Sequence, residues 1–319
     1  MTPDPASQIA EVLSRVKPEK DSVLTIGVFD GVHLGHQTLL SELRNKSQQR
    51  GMLSGVVTFQ SHPRRMLQPS AKLPFLNGVE DRLRKIRNLG IDLVVAIPFT
   101  SETASLTARE FVSILQKYLK MKGLVVGPDF ALVKKREGNI THLRQLGQEM
   151  GFTVDVIKPV GVSGDVVSST LLRNTLAHGD LRRATKFLGQ PFYLVGKVVP
   201  GTRHGSDLGF PTANLEIHPS QALPVNGVYA TITEIGDKNY NSVTNIGNRP
   251  TFGNNPQTIE TFVIDFSGDL YGQTIRVNFI ERIRNETPFK RPEELKDQIQ
   301  KDVAQARAIL AKEKASRGR

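Results

Sequence analysis

At 319 residues the chain is long enough for about two domains, each with its own core, and its composition is that of an ordinary globular protein. The absence of cysteine excludes disulfides, thiolate catalysis and Cys-ligated zinc together, and no apolar run approaches the roughly 18 residues that span a bilayer. A formal net charge of +11 raises nucleic acid as a partner, but the basic residues fall in short scattered clusters (Arg64-Arg65, Arg82 to Arg87, Lys134 to Arg136, Arg182 to Lys186) and aromatics are sparse, so no base-stacking platform is evident and none is expected to bind.

The polar N-terminus, MTPDPASQIAEVLSRVKPEKD, lacks the apolar core of a signal peptide, and a cytoplasmic location is expected. The first strand is Val23 to Val28, ending in the sharp punctuation Phe29-Asp30-Gly31, and a helix follows from near His33 with Leu39, Leu40 and Leu43 at helical spacing. A second strand, Leu53 to Phe59, completes a βαβ unit. The alternation then repeats: a helix capped by Asn77 and ending near Gly90, a strand at Ile91 to Ile97, a helix opened by the capping box Thr107/Glu110, a short strand at Leu124 to Val126, a helix at Leu143 to Met150, a strand at Phe152 to Ile157, and two short helices from Ser169 to Leu188. Strands alternating with helices imply a doubly wound parallel sheet, with ligands outside the carboxyl ends of its strands. The pattern changes near Gly189. Tyr193 to Val199, Tyr229 to Ile235, Asn241 to Ile246, Thr258 to Phe266 and Thr274 to Ile283 read as strands without helices between them, hence an antiparallel sheet or small closed barrel. Pro292 opens a final helix with the apolar stripe Leu295, Ile299, Val303, Ala306 and Leu310, and the tail KEKASRGR reads as frayed. Two domains are expected, 1–188 and 189–319.

The stretch from Val23 to His36, VLTIGVFDGVHLGH, carries the first chemistry. A strand feeding a helix N-terminus offers backbone N–H groups and a favourable dipole to a phosphate. His33 and His36 are one helical turn apart and share a face, and Gly35 leaves the backbone open to a nucleotide. Such imidazoles can stabilise charge that builds on a phosphoryl group during in-line displacement. Neither a Walker loop nor a GxGxxG fingerprint is present.

G-x-F-D-G-V-H-x-G-H resembles the adenylyltransferase signature of bacterial bifunctional riboflavin kinase/FAD synthetases. The likeness recurs at Thr58-Phe59 with His62-Pro63, Gly127 with Asp129-Phe130, Arg136 with Gly138, and Val167-Ser168-Ser169-Thr170 followed by Arg173. The resemblance implies that His33 and His36 stabilise adenylyl transfer from ATP to FMN, giving FAD and pyrophosphate. It also implies that Gly27, Phe29, Asp30, Gly35, Ser168, Ser169, Thr170 and Arg173 bind ATP phosphates, and that His62, Pro63, Asp129 and Phe130 line the flavin or nucleotide side. Ser169 reads equally as a helix N-cap. Gln60-Ser61 and Ala131-Leu132-Val133 depart from the family pattern, which keeps open an alternative: a riboflavin kinase whose adenylyltransferase domain is weakened.

In the second half, Gly196-Lys197-Val198-Val199 through Gly209-Phe210-Pro211-Thr212-Ala213-Asn214 resembles the riboflavin kinase module of the same family, as do Asn245-Ile246-Gly247, Arg249 to Phe252, Glu260, Asp269 to Gly272 and Ile283-Arg284. Thr212 and Asn214, two apart in an extended segment, project to one side. The resemblance makes Gly201, Gly205, Gly209, Pro211, Thr212 and Asn214 the ATP site, with Thr212 and Asn214 on Mg²⁺. Glu260 shares a strand face with Thr258 and Phe262, an odd place for a carboxylate without a role. It is expected to be the general base that deprotonates the ribityl hydroxyl of riboflavin. Arg284, Glu286 and Phe289 are expected to contact the flavin. A third reading, RNA binding, rests on the charge and on the likeness of HLGH to a synthetase motif, but a K-M-S-K-S segment is missing.

Overall fold

The computed structural model describes residues 5–63, 73–132, 138–201, 208–248 and 257–317, which divide into two compact units, Met1–Ser169 and Thr170–Arg319. In chain order the first unit contains α1 (Pro5–Ser14), β1 (Ser22–Ile26), α2 (Leu34–Gln49), β2 (Leu53–Phe59), α3 (Val79–Asn88), β3 (Leu93–Ile97), α4 (Ser101–Ser105), α5 (Ala108–Leu119), β4 (Met121–Val126), β5 (Ala131–Leu132), β6 (Gly138–Asn139), α6 (Ile140–Met150), β7 (Thr153–Val156), β8 (Gly161–Val162) and β9 (Asp165–Val166). Its main sheet has the order β3-β2-β1-β4-β7, and every pairing is parallel. Both β2 and β4 flank β1, so the winding reverses at β1 and the crevice at its carboxyl end is the place where such a sheet receives a ligand. β1 is buried along its whole length, and one core lies on each face of the sheet, around Leu24, Val57, Phe111, Leu115 and Leu124 on one side and Val23, Leu40, Leu43, Val56 and Ile86 on the other.

The capping box is formed as read: the Thr107 hydroxyl accepts from Glu110 N–H, and the Glu110 carboxylate accepts from Thr107 N–H at 2.8 Å. Pro5–Ser14, to which the sequence reading assigns no element, forms the helix α1, with Ile9 and Leu13 completely buried in the first core. Two local expectations are corrected. Asn77 does not cap α3, whose N-cap is Gly78; its side chain instead accepts from Gly31 N–H at 2.8 Å. Ser169 is the first helical residue of its helix rather than the cap, and its hydroxyl donates to the Asp30 carbonyl at 2.8 Å.

The second unit opens within α7 (Ser169–Ala177) and continues through α8 (Leu181–Leu188), β10 (Phe192–Val199), β11 (Thr212–Glu216), β12 (Gly227–Ile235), β13 (Lys238–Asn248), β14 (Gln257–Val263), β15 (Thr274–Arg284) and α9 (Pro292–Arg317). The strands close into an antiparallel barrel in the order β10-β11-β14-β13-β12-β15. α9 does not fray where expected: it runs to Arg317, and Ser316 bonds back to the Glu313 carbonyl. Strand alternation sorts the barrel into two faces. Ile259, Thr261 and Val263 of β14 are buried, while Thr258, Glu260 and Phe262 between them are half-buried. Inside, Thr231, Thr233, Ser242, Thr244 and Thr261 are fully buried and linked hydroxyl to hydroxyl at 2.8–2.9 Å. Outside, α9 lays Ala306 and Leu310 against Val228, Ala230 and Val243.

Candidate active sites

In the first unit the residues singled out from sequence leave the carboxyl ends of three adjacent strands. The turn from Gly27 to His33 follows β1, Gln60 to Pro63 follow β2, and Gly127 to Phe130 follow β4. The turn after β1 is tightly wound: Phe29, Gly31 and Val32 all have positive φ, at 52°, 84° and 45°. For β-branched Val32 that conformation costs about 1–2 kcal/mol, so the surroundings must hold it. Asp30 does so. Its carboxylate, 2% exposed, accepts from Leu76 N–H at 2.8 Å and Asn77 N–H at 3.3 Å, while Asn77 returns a bond to Gly31. Asp30 therefore shapes the turn with its side chain turned inward.

The two imidazoles share a face, as their spacing requires. His33 is the N-cap of α2, its Nδ1 accepting from His36 N–H at 3.4 Å, and the rings stack with centroids 3.7 Å apart and 18° between planes. Phe29 packs edge-on against His36 at 5.1 Å, and Gly27 leaves room for the Phe29 ring. Gly35 is a close-approach position: a Cβ there would stand 3.2 Å from the His33 ring and 3.3 Å from the Val167 carbonyl. The Val167 carbonyl thus lies beside the first turn of α2, and Ser169 bonds the Asp30 carbonyl in the turn before it. Thr170 and Arg173 lie on the first turns of α7.

Burial, then the neighbouring His33, then the Arg82 guanidinium hold His36 well below the usual imidazole range, so it is neutral near pH 7. Its Nδ1 is buried without a partner among the described residues. Arg82 belongs in sequence to the basic cluster Arg82 to Arg87, but it is 4% exposed and donates to the Phe59 carbonyl at 2.5 Å. It ties the end of β2, and hence His62 and Pro63, to α3. Its signal in the sequence was helical position: Leu83 and Ile86 beside it are the buried stripe of an otherwise charged helix.

The second site lies on the outer face of the barrel. Thr212 pairs with Phe262, Asn214 with Glu260, and Glu260 with Asn245, so these side chains share one face of β11, β14 and β13. Thr212, Asn245, Glu260 and Phe262 line a cavity of about 320 Å³, with Phe210, Arg284, Glu286 and Phe289 in its wall and Leu295 and Ile299 of α9 on its far side. Phe210 meets Phe262 edge-on at 5.3 Å. Gly201 lies directly against the Asn214 carboxamide, where any Cβ would overlap it, and Gly209 has φ 89° just before Phe210 and Pro211. Gly205, Val133, Arg136 and Arg249 to Phe252 lie outside the described residues. Among the described residues no three His, Asp or Glu side chains converge on a metal position. Thr212 and Asn214 instead offer neutral oxygens, which suit a hydrated divalent ion that takes its remaining ligands from a nucleotide.

A FAD synthetase family model matches residues 16–171, and a riboflavin kinase model matches 188–310. The chain belongs to the bifunctional riboflavin kinase/FAD synthetase family. It is 38% identical over 295 residues to the bifunctional riboflavin kinase/FMN adenylyltransferase of Escherichia coli (strain K12), covering 92% of this chain and 94% of that one. With the protein of the same description from Pseudomonas fluorescens it shares 38% identity, over 95% of this chain and 98% of the other. A solved structure described as a macrolide-efflux protein from Streptococcus pneumoniae superposes with a TM-score of 0.85 at 30% identity, covering 92% of this chain and 96% of that one. Among the described residues here, no helix is long and apolar enough to cross a membrane. The chain is thus a transferase that combines a riboflavin kinase with a FAD synthetase, two families that use ATP with a divalent metal. The FAD synthetase match includes both departures, at Gln60-Ser61 and at 131–133, and nothing favours the alternative of an inactive first domain.

Proposed function

We propose that the two sites act in sequence on one flavin, the outer face of the barrel making FMN and the crevice after β1 consuming it. Glu260 takes the proton from the ribityl 5′-hydroxyl as that oxygen attacks the γ-phosphorus of ATP, and ADP leaves. The observation that carries this is the shared face: one carboxylate stands between two carboxamides, Asn214 and Asn245, on the wall of a cavity large enough for an aromatic ring system. Thr212 and Asn214 would hold Mg²⁺, which supplies charge neutralisation on the phosphates when bound. Gly201, Gly209 and Pro211 hold the backbone against ATP, and Arg284, Glu286 and Phe289 border the flavin.

In the first unit the FMN phosphate attacks the α-phosphorus of ATP and pyrophosphate leaves. His33 donates to the transferring group, and His36, neutral and stacked beneath it, fixes the ring. Gly27, Phe29 and Asp30 form the turn, Gly35 admits the nucleotide, and Ser168, Thr170 and Arg173 are the phosphate donors, with Ser169 bracing the turn through Asp30. His62, Pro63, Asp129 and Phe130, at the ends of β2 and β4, border the second substrate. We place the functional division at about residue 188, between the two family matches, and the reactions in the cytoplasm, with ATP, riboflavin and FMN as the small-molecule partners. Product analysis from riboflavin, ATP and Mg²⁺ tests the whole scheme: FMN followed by FAD is expected, and FMN without FAD would remove the adenylyl-transfer half.

A further inference from the structure

One wall of the barrel cavity is built by residues that the transfer of phosphate does not require. Asp302, on α9, is 2% exposed, a depth at which a carboxylate needs partners. It accepts a forked pair from Arg284, with Nε at 2.9 and 3.1 Å and Nη2 at 2.8 Å, and a further bond from Gln298 Nε2 at 2.9 Å. The carboxylate is occupied by these donors although the residue borders the cavity. Arg284 then passes the constraint along the chain. Its Nη1 donates to the Asn285 carbonyl at 3.0 Å, and its guanidinium lies 5.7 Å from the Phe289 ring centre. Glu286 crosses directly over Gly247 of β13, where a Cβ would overlap its carboxylate. Residues 284–289 are thus a strap running from the end of β15 across β13, fixed at its origin.

Buried ion pairs are weak sources of net stability, whereas a bidentate guanidinium–carboxylate fork fixes direction. We propose that Asp302 is a positioning residue for the kinase reaction: acting through Arg284, it holds the strap where the flavin rings rest and so governs affinity for riboflavin. The proposal stands on the assignment of this cavity to the flavin. Its signature is a KM effect, because the strap borders the acceptor and not the transferring phosphoryl group.

Steady-state kinetics of the full-length chain test it with Asp302→Asn and Arg284→Lys. Both variants are expected to raise the KM for riboflavin about tenfold or more, with kcat within about threefold and the KM for ATP and FMN adenylylation unchanged. A riboflavin KM at the parental value, with only the thermal midpoint lowered, would overturn the proposal. Should Asp302→Asn fail to fold, Asp302→Glu, which keeps the carboxylate and displaces the fork, takes its place, because Arg284 itself borders the flavin and its replacement cannot decide alone. Leu295→Trp, which fills the cavity from α9, separates the two layers. If Leu295→Trp raises the riboflavin KM while the Asp302 and Arg284 variants do not, only the positioning role is lost; if Leu295→Trp leaves it unchanged, the cavity assignment falls and the proposal with it.

Discussion

Two glycines show how closely single residues are fitted to the chemistry. A Cβ on Gly35 would stand 3.2 Å from the His33 ring and 3.3 Å from the Val167 carbonyl, so Gly35→Ala should push the N-cap histidine from its stacked position. A loss of about ten- to a hundredfold in FMN adenylylation is expected, with riboflavin phosphorylation intact, measured on one preparation with each substrate. Gly201→Ala is the mirror experiment: its Cβ would displace the Asn214 side chain, so phosphorylation should fall and adenylylation persist. His36 adds a pH dependence. Its folded pKa is depressed by burial, His33 and Arg82, so the unfolded chain binds the proton more readily. Stability is therefore full above the unperturbed value of about 6.5 and declines as the pH falls below it. Replacing His36 with Gln should flatten this decline, seen as a smaller change in urea midpoint between about pH 7.5 and 5.5.

At the scale of elements the barrel strands carry the same logic in alternation. The hydroxyls of Thr231, Thr233, Ser242, Thr244 and Thr261 satisfy one another inside the barrel, and removing one strands its neighbours. Thr231→Val should cost about 1–3 kcal/mol in denaturant unfolding despite its similar shape, while leaving the KM for riboflavin unchanged. Much of this level was legible in the sequence. Period-two alternation in Thr258 to Ile264 placed Glu260 on a face with Phe262, and the Thr107/Glu110 pair announced its helix. What was hidden depended on tertiary partners. Asn77 looks like a cap because it is an Asn before a helix; only the turn after β1, 46 residues earlier in the chain, shows that it serves Gly31. Arg82 hides among charged neighbours, and the partnership of Arg284 with Asp302 spans 18 residues between a strand and a helix, a distance no local pattern encodes.

For the whole molecule, the turn after β1 with His33 and His36 and the barrel strand with Glu260 fall in different compact units, each with its own sheet and core. Glu260→Ala should therefore abolish FMN formation from riboflavin while FAD is still made from supplied FMN, and the double replacement of His33 and His36 by Ala should do the reverse. Chromatographic product analysis of both variants checks this; loss of both activities in a folded Glu260→Ala protein would contradict the separation. The motifs made the two-part division readable because each is short and contiguous. The crevice after β1 was harder to complete, since its walls come from three strands whose adjacency follows from sheet order alone.

The alternation in β14 has a consequence for how this protein can change over time. Odd-numbered positions there face the packed barrel interior, and of the even-numbered ones on the opposite face Glu260 and Phe262 line the cavity. Point replacements on the outer face thus leave the hydroxyl network of the barrel interior in register. The loss or gain of a single residue within the strand would exchange the two sets, carrying Glu260 into the hydroxyl network and Thr261 to the cavity. A substitution on one face of that strand leaves the other face in place, whereas a change in its length alters both at once.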